Sequence, residues 1–384
     1  MVEWKKLGEI TRRNKGIPIT AGQMSELSSK DGNVRVFAAG STIADIDESR
    51  LPKKCAHKLP SIIVKSRGYI DFEFYEKPFT HKNEMWSYSF DNKQEGKFIY
   101  YFLTTQTDFF RNIAKANSVK LPQLCVADTD NFSIPIPSLE EQNRIVGILD
   151  TFTSAIDNLK EQIAQRRKQY EYYRDQLYYA SKADLLEASR NGKAIVKSLD
   201  ELGTFTRGRR FVRTDIVPEG VPCIHYGDMY TYYGVSAEET PTHLTKELSS
   251  KLRFAKNGDV VIVAAGENDL DIGVGVAWLG KEPVVVHDAC FIYEHKMSPK
   301  YLSHFMRSRN YHQQIRMGVV DGKICSISAK ELGRALIAVP PLSEQQHTVS
   351  ILDTFEASIQ NLEAQLKQRE KQYEYYRNKL LTFE

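Results

Sequence analysis

The amino-acid sequence predicts an α/β (α+β) protein in which two mixed α/β globular domains are separated by two long antiparallel coiled-coil helices with pseudo-twofold symmetry. Three observations lead to this fold class. A segment at residues 137–177 recurs at residues 340–380, each copy carries a heptad pattern, and short β-like runs alternate with amphipathic stretches elsewhere. The chain has 384 residues, which is enough for two globular domains and the helices.

The recurring segment indicates an internal duplication. The sequence ILDTF occurs at residues 148–152 and 351–355, and KQYEYYR occurs at residues 168–174 and 371–377, so both pairs are separated by 203 positions. The segments between the copies show no comparable alignment. We therefore expect two similar structural units whose ends are alike and whose middles have diverged.

Apolar and aromatic residues in each copy are spaced alternately by four and three over five heptads, which is typical of a coiled-coil seam. Pseudo-twofold symmetry favours antiparallel pairing and a rod of roughly 60 Å with the globular domains at opposite ends. The alternative is that each helix packs as an ordinary amphipathic helix on its own domain. An arginine interrupts both seams at the same register, and replacing the two arginines with leucine should raise the thermal stability. The predicted seam residues are Leu149, Phe152, Ile156, Leu159, Ile163, Arg166, Tyr170 and Tyr173 in the first helix, and Leu352, Phe355, Ile359, Leu362, Leu366, Arg369, Tyr373 and Tyr376 in the second.

The repeats divide the chain into five segments. Strands are expected at residues 61–65, 221–226 and 259–263, and one amphipathic helix is expected in each globular domain, at about residues 96–114 and 299–317. The polar stretch between the first helix and the second domain predicts a connector. The segments are a first globular domain (1–138), a first helix (139–180), a connector (181–194), a second globular domain (195–341) and a second helix (342–384).

Composition favours a reduced, cytoplasmic protein. The five cysteines are scattered and never occur in CxxC spacing, the chain starts without an apolar leader, and its apolar runs are too short to span a membrane. The formal net charge is +3, with an excess of cations in the globular segments and of anions in the helices. This distribution permits nucleic-acid binding without requiring it.

No catalytic motif is present in the sequence. There is no phosphate-binding loop, and Gly273–Gly275 indicates only a strand or a turn. No HExxH or Cys/His ligand pattern occurs, His287–Asp288 is best explained as an ordinary surface or core histidine, and Glu267, Asp269 and Asp271 as a solvated loop. We therefore expect a recognition component with no metal and no cofactor of its own, and not an enzyme.

The exit segments IPIPSLEEQ (134–142) and IAVPPLSEQ (337–345), each followed by ILDTF and QYEYYR, make the chain similar over its full length to the specificity (S) subunits of type I restriction-modification systems. The first copy departs from the second after Leu177, which leaves the end of the first helix open.

This resemblance implies a division of labour. Each globular domain would be a target recognition domain that reads one half of a bipartite, asymmetric sequence in double-stranded DNA, and the rod would set the gap between the halves. Two methylation subunits carrying S-adenosylmethionine would dock on the conserved regions, and restriction subunits using ATP and Mg²⁺ would join them.

Candidate DNA contacts combine cations with amide, hydroxyl or aromatic groups at loops and strand ends, which suits phosphate and base recognition. For each of them the alternative is an ordinary solvated surface side chain. The candidates are Arg12, Arg13, Lys15, Lys65, Arg67, Tyr69, His81, Lys82, Asn83, Asn117, Ser118 and Lys120 in the first domain, and Arg207, Arg209, Arg210, His225, Tyr226, Arg316 and Lys323 in the second.

Two other function classes remain open. A scaffold whose coiled coil carries two protein-binding domains would also suit the mild charge and the 20 tyrosines. A free-standing DNA-modifying enzyme is disfavoured by the missing motifs. Sequence-dependent binding of duplex DNA would distinguish the specificity subunit from the scaffold, and methyl transfer by the isolated chain would be needed to support the enzyme.

Overall fold

The computed structural model describes residues 2–118 and 120–383, and the chain divides into two compact units. Unit 1 comprises Met1–Lys160 and Ala364–Glu384, and unit 2 comprises Glu161–Glu363. Each unit contains sheets, short helices and parts of both long helices, so the predicted mixed α/β class is confirmed.

The described residues up to Leu177 form nine strands and six helices. The strands are β1 (Glu3–Lys6), β2 (Arg12–Lys15), β3 (Val34–Phe37), β4 (Ile43–Ile46), β5 (Ser61–Lys65), β6 (Asp71–Tyr75), β7 (Phe79–His81), β8 (Trp86–Ser89) and β9 (Ser133–Ile136). The helices are α1 (Leu7–Ile10), α2 (Ala21–Leu27), α3 (Lys93–Thr105), α4 (Thr107–Asn117), α5 (Val126–Asp130) and the long α6 (Leu139–Leu177).

The described residues after Leu177 form thirteen strands and eight helices. The strands are β10 (Val196–Ser198), β11 (Gly203–Arg207), β12 (Val221–Ile224), β13 (Ser236–Ala237), β14 (Thr242–Leu244), β15 (Phe254–Ala255), β16 (Val260–Val263), β17 (Ala265–Gly266), β18 (Gly275–Trp278), β19 (Val284–Val286), β20 (Cys290–His295), β21 (Cys325–Ser326) and β22 (Leu336–Ala338). The helices are α7 (Lys182–Arg190), α8 (Leu199–Leu202), α9 (Asp228–Thr231), α10 (Lys246–Ser249), α11 (Pro299–Phe305), α12 (Arg309–Ile315), α13 (Ala329–Gly333) and the long α14 (Leu342–Leu380).

The two units share a core sheet topology, to which unit 2 adds one edge strand in each sheet. In unit 1 the larger sheet has the order β2-β8-β5-β6, and in unit 2 the order is β11-β20-β16-β18-β13. A second sheet has the order β4-β3-β7 in unit 1 and β14-β12-β19-β15 in unit 2, with one parallel pair in each, β3 with β7 and β12 with β19. The middles of the two halves therefore share the order of seven strands, although their sequences do not align.

An inner strand of each larger sheet, β5 in unit 1 and β16 in unit 2, has an apolar centre because both of its faces are covered. Residues Ile62–Val64 of β5 and all four residues of β16 are buried. In unit 1, Phe98 and Phe102 of α3 belong to the same core cluster as Ile62 and Val64. The predicted strands at 61–65 and 259–263 are confirmed within one residue, and the one predicted at 221–226 ends at Ile224.

The prediction of a single amphipathic helix in each domain was wrong, because each stretch forms two consecutive helices. In unit 2, α11 ends at Phe305, and Ser308 accepts a hydrogen bond from the Tyr311 amide at 3.3 Å as the N-cap of α12. In unit 1, α3 ends before Gln106 without a comparable side-chain cap. The polar stretch at 181–194 also contains a helix, α7, with Ser181 as its N-cap.

The long helices α6 and α14 have 39 residues each, which corresponds to about 58 Å per helix. In unit 1, the ring of Phe152 stacks on Tyr376 with centroids 5.4 Å apart. In unit 2, the ring of Phe355 stacks on Tyr173 at 5.3 Å. In each unit the early part of one helix meets the late part of the other, which confirms antiparallel pairing.

The predicted seam residues differ in burial. Leu149, Ile156, Ile163, Tyr170 and Leu352 are buried; Phe152, Leu159, Arg166, Phe355, Ile359, Leu362, Leu366 and Tyr373 are half-buried; and Tyr173, Arg369 and Tyr376 are exposed. The arginines that interrupt the two seams make the same contact in both units. The Arg369 guanidinium lies 5.8 Å from the ring centroid of Phe152, and the Arg166 guanidinium lies 5.9 Å from the ring centroid of Phe355. The arginines thus lie over rings at the edge of the helix contact.

The ends of the long helices pack into the cores of the units. Tyr178, directly after α6, is buried, and its hydroxyl donates to the carbonyl oxygen of Tyr301 at 2.6 Å. Leu381, directly after α14, is buried in the core of unit 1. The first helix therefore ends at Leu177, and the residue that follows is a core residue despite its departure from the sequence of the second copy.

Candidate nucleic-acid interface

A glycine turn follows the first strand of the larger sheet in both units. A Cβ atom on Gly16 would lie 2.3 Å from the carbonyl oxygen of Lys82, and one on Gly208 would lie 2.2 Å from that of His287. Only glycine allows the backbone to approach this closely. The turns fix where β2 and β11 deliver the candidate residues that surround them.

Three arginines surround the turn in unit 2, and all are exposed. Arg207 Nε donates to the carbonyl oxygen of Asp288 at 2.8 Å, and Arg209 Nη1 donates to that of Lys251 at 2.7 Å. The predicted candidates Arg207, Arg209 and Arg210 therefore lie together at this turn. A guanidinium held by a neutral carbonyl keeps its full charge and its other N–H groups for an anion.

The imidazole of His225 lies beneath this turn and is buried, with its ring 4.9 Å from that of His287. Burial and the neighbouring His287 lower the pKa of His225. The ring of Tyr226 is half-buried and 4.6 Å from His225. The prediction of His225 as a direct DNA contact is therefore wrong, because its buried ring supports the turn from below.

Three candidate cations of unit 1 form ion pairs with carboxylates. Arg13, Lys65 and Lys82 pair with Asp130, with Glu73 at 2.7 Å and with Glu84 at 2.9 Å, respectively. Each carboxylate cancels much of the charge that a phosphate would use. Arg12, Lys15 and Asn83 are exposed.

His81 is fully buried, which contradicts its prediction as a DNA contact. Its Nε2 lies 3.2 Å from the hydroxyl of Ser87, and burial lowers the pKa of His81 to about 4. The ring packs 5.8 Å from that of His57. His81 is therefore a core residue that joins β7 to β8.

Two candidate loops of unit 1 lie side by side. Arg67 forms a β-bridge with Gln123, and the Gly68 amide donates to the carbonyl oxygen of Pro122 at 2.9 Å. Tyr69 is 58% exposed, with the Arg111 guanidinium 5.4 Å from its ring centroid. The bridge thus places the first loop against the loop of the remaining unit 1 candidates, Asn117, Ser118 and Lys120.

Those three candidates differ in exposure. Asn117 and Lys120 are exposed and Ser118 is half-buried. The amide of Asn117 donates to the Asp128 carboxylate at 2.9 Å, so it already stabilises the loop. In unit 2, Arg316 and Lys323 lie on the loop after α12, where Arg316 is 4.0 Å from Asp269. They belong to a different loop from the arginine turn.

Among residues 2–118 and 120–383, one group combines His, Asp and Glu side chains at metal-ligand spacing. The ligand atoms of His304, Asp353 and Glu356 lie within 4.8 Å of one another. However, Lys300 Nζ lies 2.5 Å from the Asp353 carboxylate. The ammonium already neutralises the carboxylate that a metal ion would need, so the group fits an ion-pair network better than a metal site.

Two further arginines, Arg213 and Arg253, lie near the unit 2 turn and were not predicted from the sequence. Arg253 Nη1 donates to the carbonyl oxygen of Arg207 at 2.5 Å, and Arg213 is close enough to His225 to contribute to its lowered pKa. Arg253 is 46 residues from Arg207 in sequence, and only the pairing of β15 with β19 brings it there. No local sequence signal could have shown this.

Comparisons with known proteins agree with the duplicated architecture. The model of the type I restriction modification DNA specificity domain matches residues 1–166 and 191–370. The chain belongs to this family of specificity subunits. The subunits of this family are not enzymes, and catalysis lies in other subunits.

Relatives match this specificity subunit over its full length. It is 29% identical to the EcoR124I/EcoR124II specificity subunit of Escherichia coli over 408 residues, covering 100% of this chain and 94% of the relative. It is 26% identical to a type I specificity subunit of Haemophilus influenzae, covering 100% and 96%. The crystal structure of a type I S subunit from M. genitalium shares the fold, with a TM-score of 0.62 at 16% identity over 100% and 97% of the two chains.

No helix of this specificity subunit, within the residues that the structure describes, combines the length and the apolar character needed to cross a lipid bilayer.

Proposed function

We propose that this specificity subunit reads a bipartite, asymmetric sequence in double-stranded DNA, with unit 1 contacting one half and unit 2 the other. The proposal rests on a core sheet topology that occurs twice, with different side chains at matched positions. Two domains with the same core strand order and different side chains suit two different half-sites. The target recognition domains would be residues 1–138 and 195–341.

The long helices, residues 139–180 and 342–384, would set the gap between the half-sites and carry two methylation subunits. Two observations support this role: α6 and α14 have equal lengths, and each unit contains an antiparallel pairing of the same kind. S-adenosylmethionine, ATP and Mg²⁺ would bind to the methylation and restriction subunits. All five cysteines are free, which suits work on the chromosome in a reducing cytoplasm.

Genome-wide mapping of methylated adenine tests the proposal. Cells that express the full-length chain with its methylation subunit are compared with cells that lack the chain. We expect a split sequence motif that disappears when the chain is absent. An unchanged methylation pattern, together with intact assembly of the subunits, would instead favour the two-headed scaffold that binds proteins.

The gap is tested separately by removing one heptad from α6 and the equivalent heptad from α14, so that the seam register is preserved. We expect both half-sites to persist with an altered gap. Retention of the original gap would refute the role of the helices in spacing while leaving the two half-sites assigned. A single-heptad deletion, which breaks the pairing register, serves as the control and should abolish the motif.

A further inference from the structure

The arginine turn of unit 2 is a concentrated positive surface. Arg207, Arg209, Arg210 and Arg213 lie within seven consecutive residues, and Arg253 joins them through the carbonyl oxygen of Arg207 at 2.5 Å. All five arginines are exposed. Three of the five guanidiniums are held by backbone carbonyl oxygens, which orient them without cancelling their charge.

The carboxylates near this surface are engaged by other donors. Asp215 accepts from the Val212 amide at 2.7 Å, Asp228 accepts from the Thr242 hydroxyl at 3.1 Å, and Asp288 lies 3.2 Å from His287. In the part of the chain that the structure describes, none of the five arginines forms an ion pair with a carboxylate. The three carboxylates thus lie near the surface, but they do not pair directly with its guanidiniums.

A cluster of rings supports the surface from below. The ring of Phe211 lies 5.1 Å from that of His287, which in turn lies 4.9 Å from that of His225. Burial lowers the pKa of both imidazoles, so they are neutral near pH 7 and add no charge of their own. The charge of the surface comes from the arginines on a packed, apolar base.

The equivalent turn of unit 1 has a different character. The amide of Ile17 donates to the carbonyl oxygen of His81 at 2.8 Å, as the amide of Arg209 donates to that of Val286 at 3.0 Å. Ile17 is buried, so an apolar core residue occupies the position that Arg209 occupies in unit 2. At the residue after the glycine, the same backbone path thus carries a cation in unit 2 and a core residue in unit 1, whereas the residue before it is an exposed cation in both, Arg207 and Lys15.

We propose that Arg207, Arg209, Arg210, Arg213 and Arg253 form a phosphate-binding surface through which unit 2 supplies the larger share of this chain's electrostatic affinity for DNA of any sequence. The inference rests on the proposed function and adds an asymmetry to it: unit 2 anchors the duplex, and unit 1 contributes mainly to selection. Phosphate contacts of this kind position a protein without carrying sequence information.

The test measures binding of the full-length chain, co-purified with its methylation subunit, to a duplex that lacks the target, by fluorescence anisotropy across a KCl series. The variant R210Q/R213Q removes two guanidiniums that form no hydrogen bond or ion pair with the residues that the structure describes, so the fold should be kept. The slope of log K against log salt should fall by about 0.9 for each lost phosphate contact. An unchanged slope overturns the proposal.

Two matched variants complete the test. R210K/R213K keeps the charge and should keep most of the slope, because a point charge suffices for a phosphate. K65Q/K82Q in unit 1 removes two cations that are paired with Glu73 and Glu84, and the slope should stay unchanged. Equal losses in the two units would overturn the asymmetry.

Failure of the inference can be distinguished from failure of the proposed function by mapping methylation in the same strains. A split motif in the wild type with an unaltered salt slope in R210Q/R213Q refutes the anchoring surface alone. Absence of both the split motif and DNA binding in the wild type refutes both. With the anchoring surface in place, R210Q/R213Q cells should retain both half-sites at lower occupancy.

Discussion

In both units the same lysine–aspartate ion pair, here called the clamp, joins a shorter helix to a long helix. In unit 1, Lys97 Nζ of α3 lies 2.7 Å from Asp150 of α6, and in unit 2, Lys300 Nζ of α11 lies 2.5 Å from Asp353 of α14. Both residues of the second pair are 203 positions after those of the first, the same shift that relates the helical repeats. The duplication therefore extends into the segments whose sequences no longer align.

The third member of each clamp differs. The hydroxyl of Tyr101 donates to Asp150 at 2.7 Å, whereas in unit 2 His304 Nε2 lies 3.3 Å from Asp353 and Nδ1 lies 3.0 Å from the hydroxyl of Tyr170. Both rings are buried. The clamp geometry was thus retained while a phenol whose pKa is raised by burial in unit 1 corresponds to an imidazole whose pKa is lowered by burial in unit 2.

The largest effect should come from the aromatic contacts that continue each clamp along the helix pair. Replacing Phe152 or Phe355 with alanine removes a ring stacked on a tyrosine and should cost about 2–3 kcal/mol of unfolding free energy in either case. Hydrogen exchange of α6 and α14 peptides measures the loss separately in each unit. A cost confined to one variant would show that the two helix contacts are not equivalent.

Removing the carboxylate of either clamp should have the next largest effect. Asp150→Ala leaves Lys97 and Tyr101 without their shared acceptor, and Asp353→Ala does the same to Lys300 and His304. Each substitution should cost about 2 kcal/mol, because two donors lose a partner. Hydrogen exchange of α3 and α11 reports each loss.

The control for this pair is Ser154→Ala, an exposed substitution on α6 that should change the unfolding free energy by less than about 0.5 kcal/mol. Comparable protection in D353A and wild-type α11 would mean that the clamp does not hold α11 on the long helix.

The contrast between seam and clamp shows what the sequence could predict. The antiparallel helices follow from heptads and a visible repeat, so Phe152 and Phe355 could be placed before the structure. The clamp could not, because Lys97 and Asp150 are 53 residues apart and lie on elements whose pairing depends on the tertiary fold. The same limit explains the misplaced His81, whose burial depends on β7 lying between β3 and the larger sheet.

The next largest difference should be the loss of stability at low pH, which we expect at the unit 2 clamp and not at the unit 1 clamp. Burial lowers the pKa of His304, so the unfolded chain binds a proton near pH 6.5 that the folded chain does not. The folded state therefore loses stability as the pH falls below about 6.5. Burial raises the pKa of the nearby Glu356, which favours the folded state on acidification and offsets part of this loss. Burial raises the pKa of Tyr170 to about 12, so its hydroxyl stays protonated throughout this range.

The measurement compares α11 protection between pH 7 and about pH 5.5 in wild type and in His304→Tyr, which gives unit 2 the side chain of unit 1. The variant should lose less protection than the wild type on acidification. The reciprocal variant Tyr101→His should make α3 acid-sensitive. Identical pH profiles for H304Y and wild type would remove His304 as the source of the difference.

The smallest effect should come from the paired arginines at the edge of the helix contact. The heptad pattern alone predicts that Arg166→Leu and Arg369→Leu raise the melting temperature. The structure adds an opposing contribution, because each guanidinium lies over a phenylalanine ring, 5.9 and 5.8 Å from its centroid, a contact worth about 0.5–1 kcal/mol at an exposed site. We expect both variants to be slightly more stable than wild type, by less than about 1 kcal/mol, and to gain the same amount.

A neighbouring control, Arg167→Leu, breaks the exposed ion pair with Glu363 and gains no ring contact, so it should not stabilise the protein. Scanning calorimetry of the three variants decides the matter: a lower melting temperature for R166L and R369L would show that the cation–ring contact outweighs the apolar gain, and unequal shifts would end the equivalence of the two helix contacts.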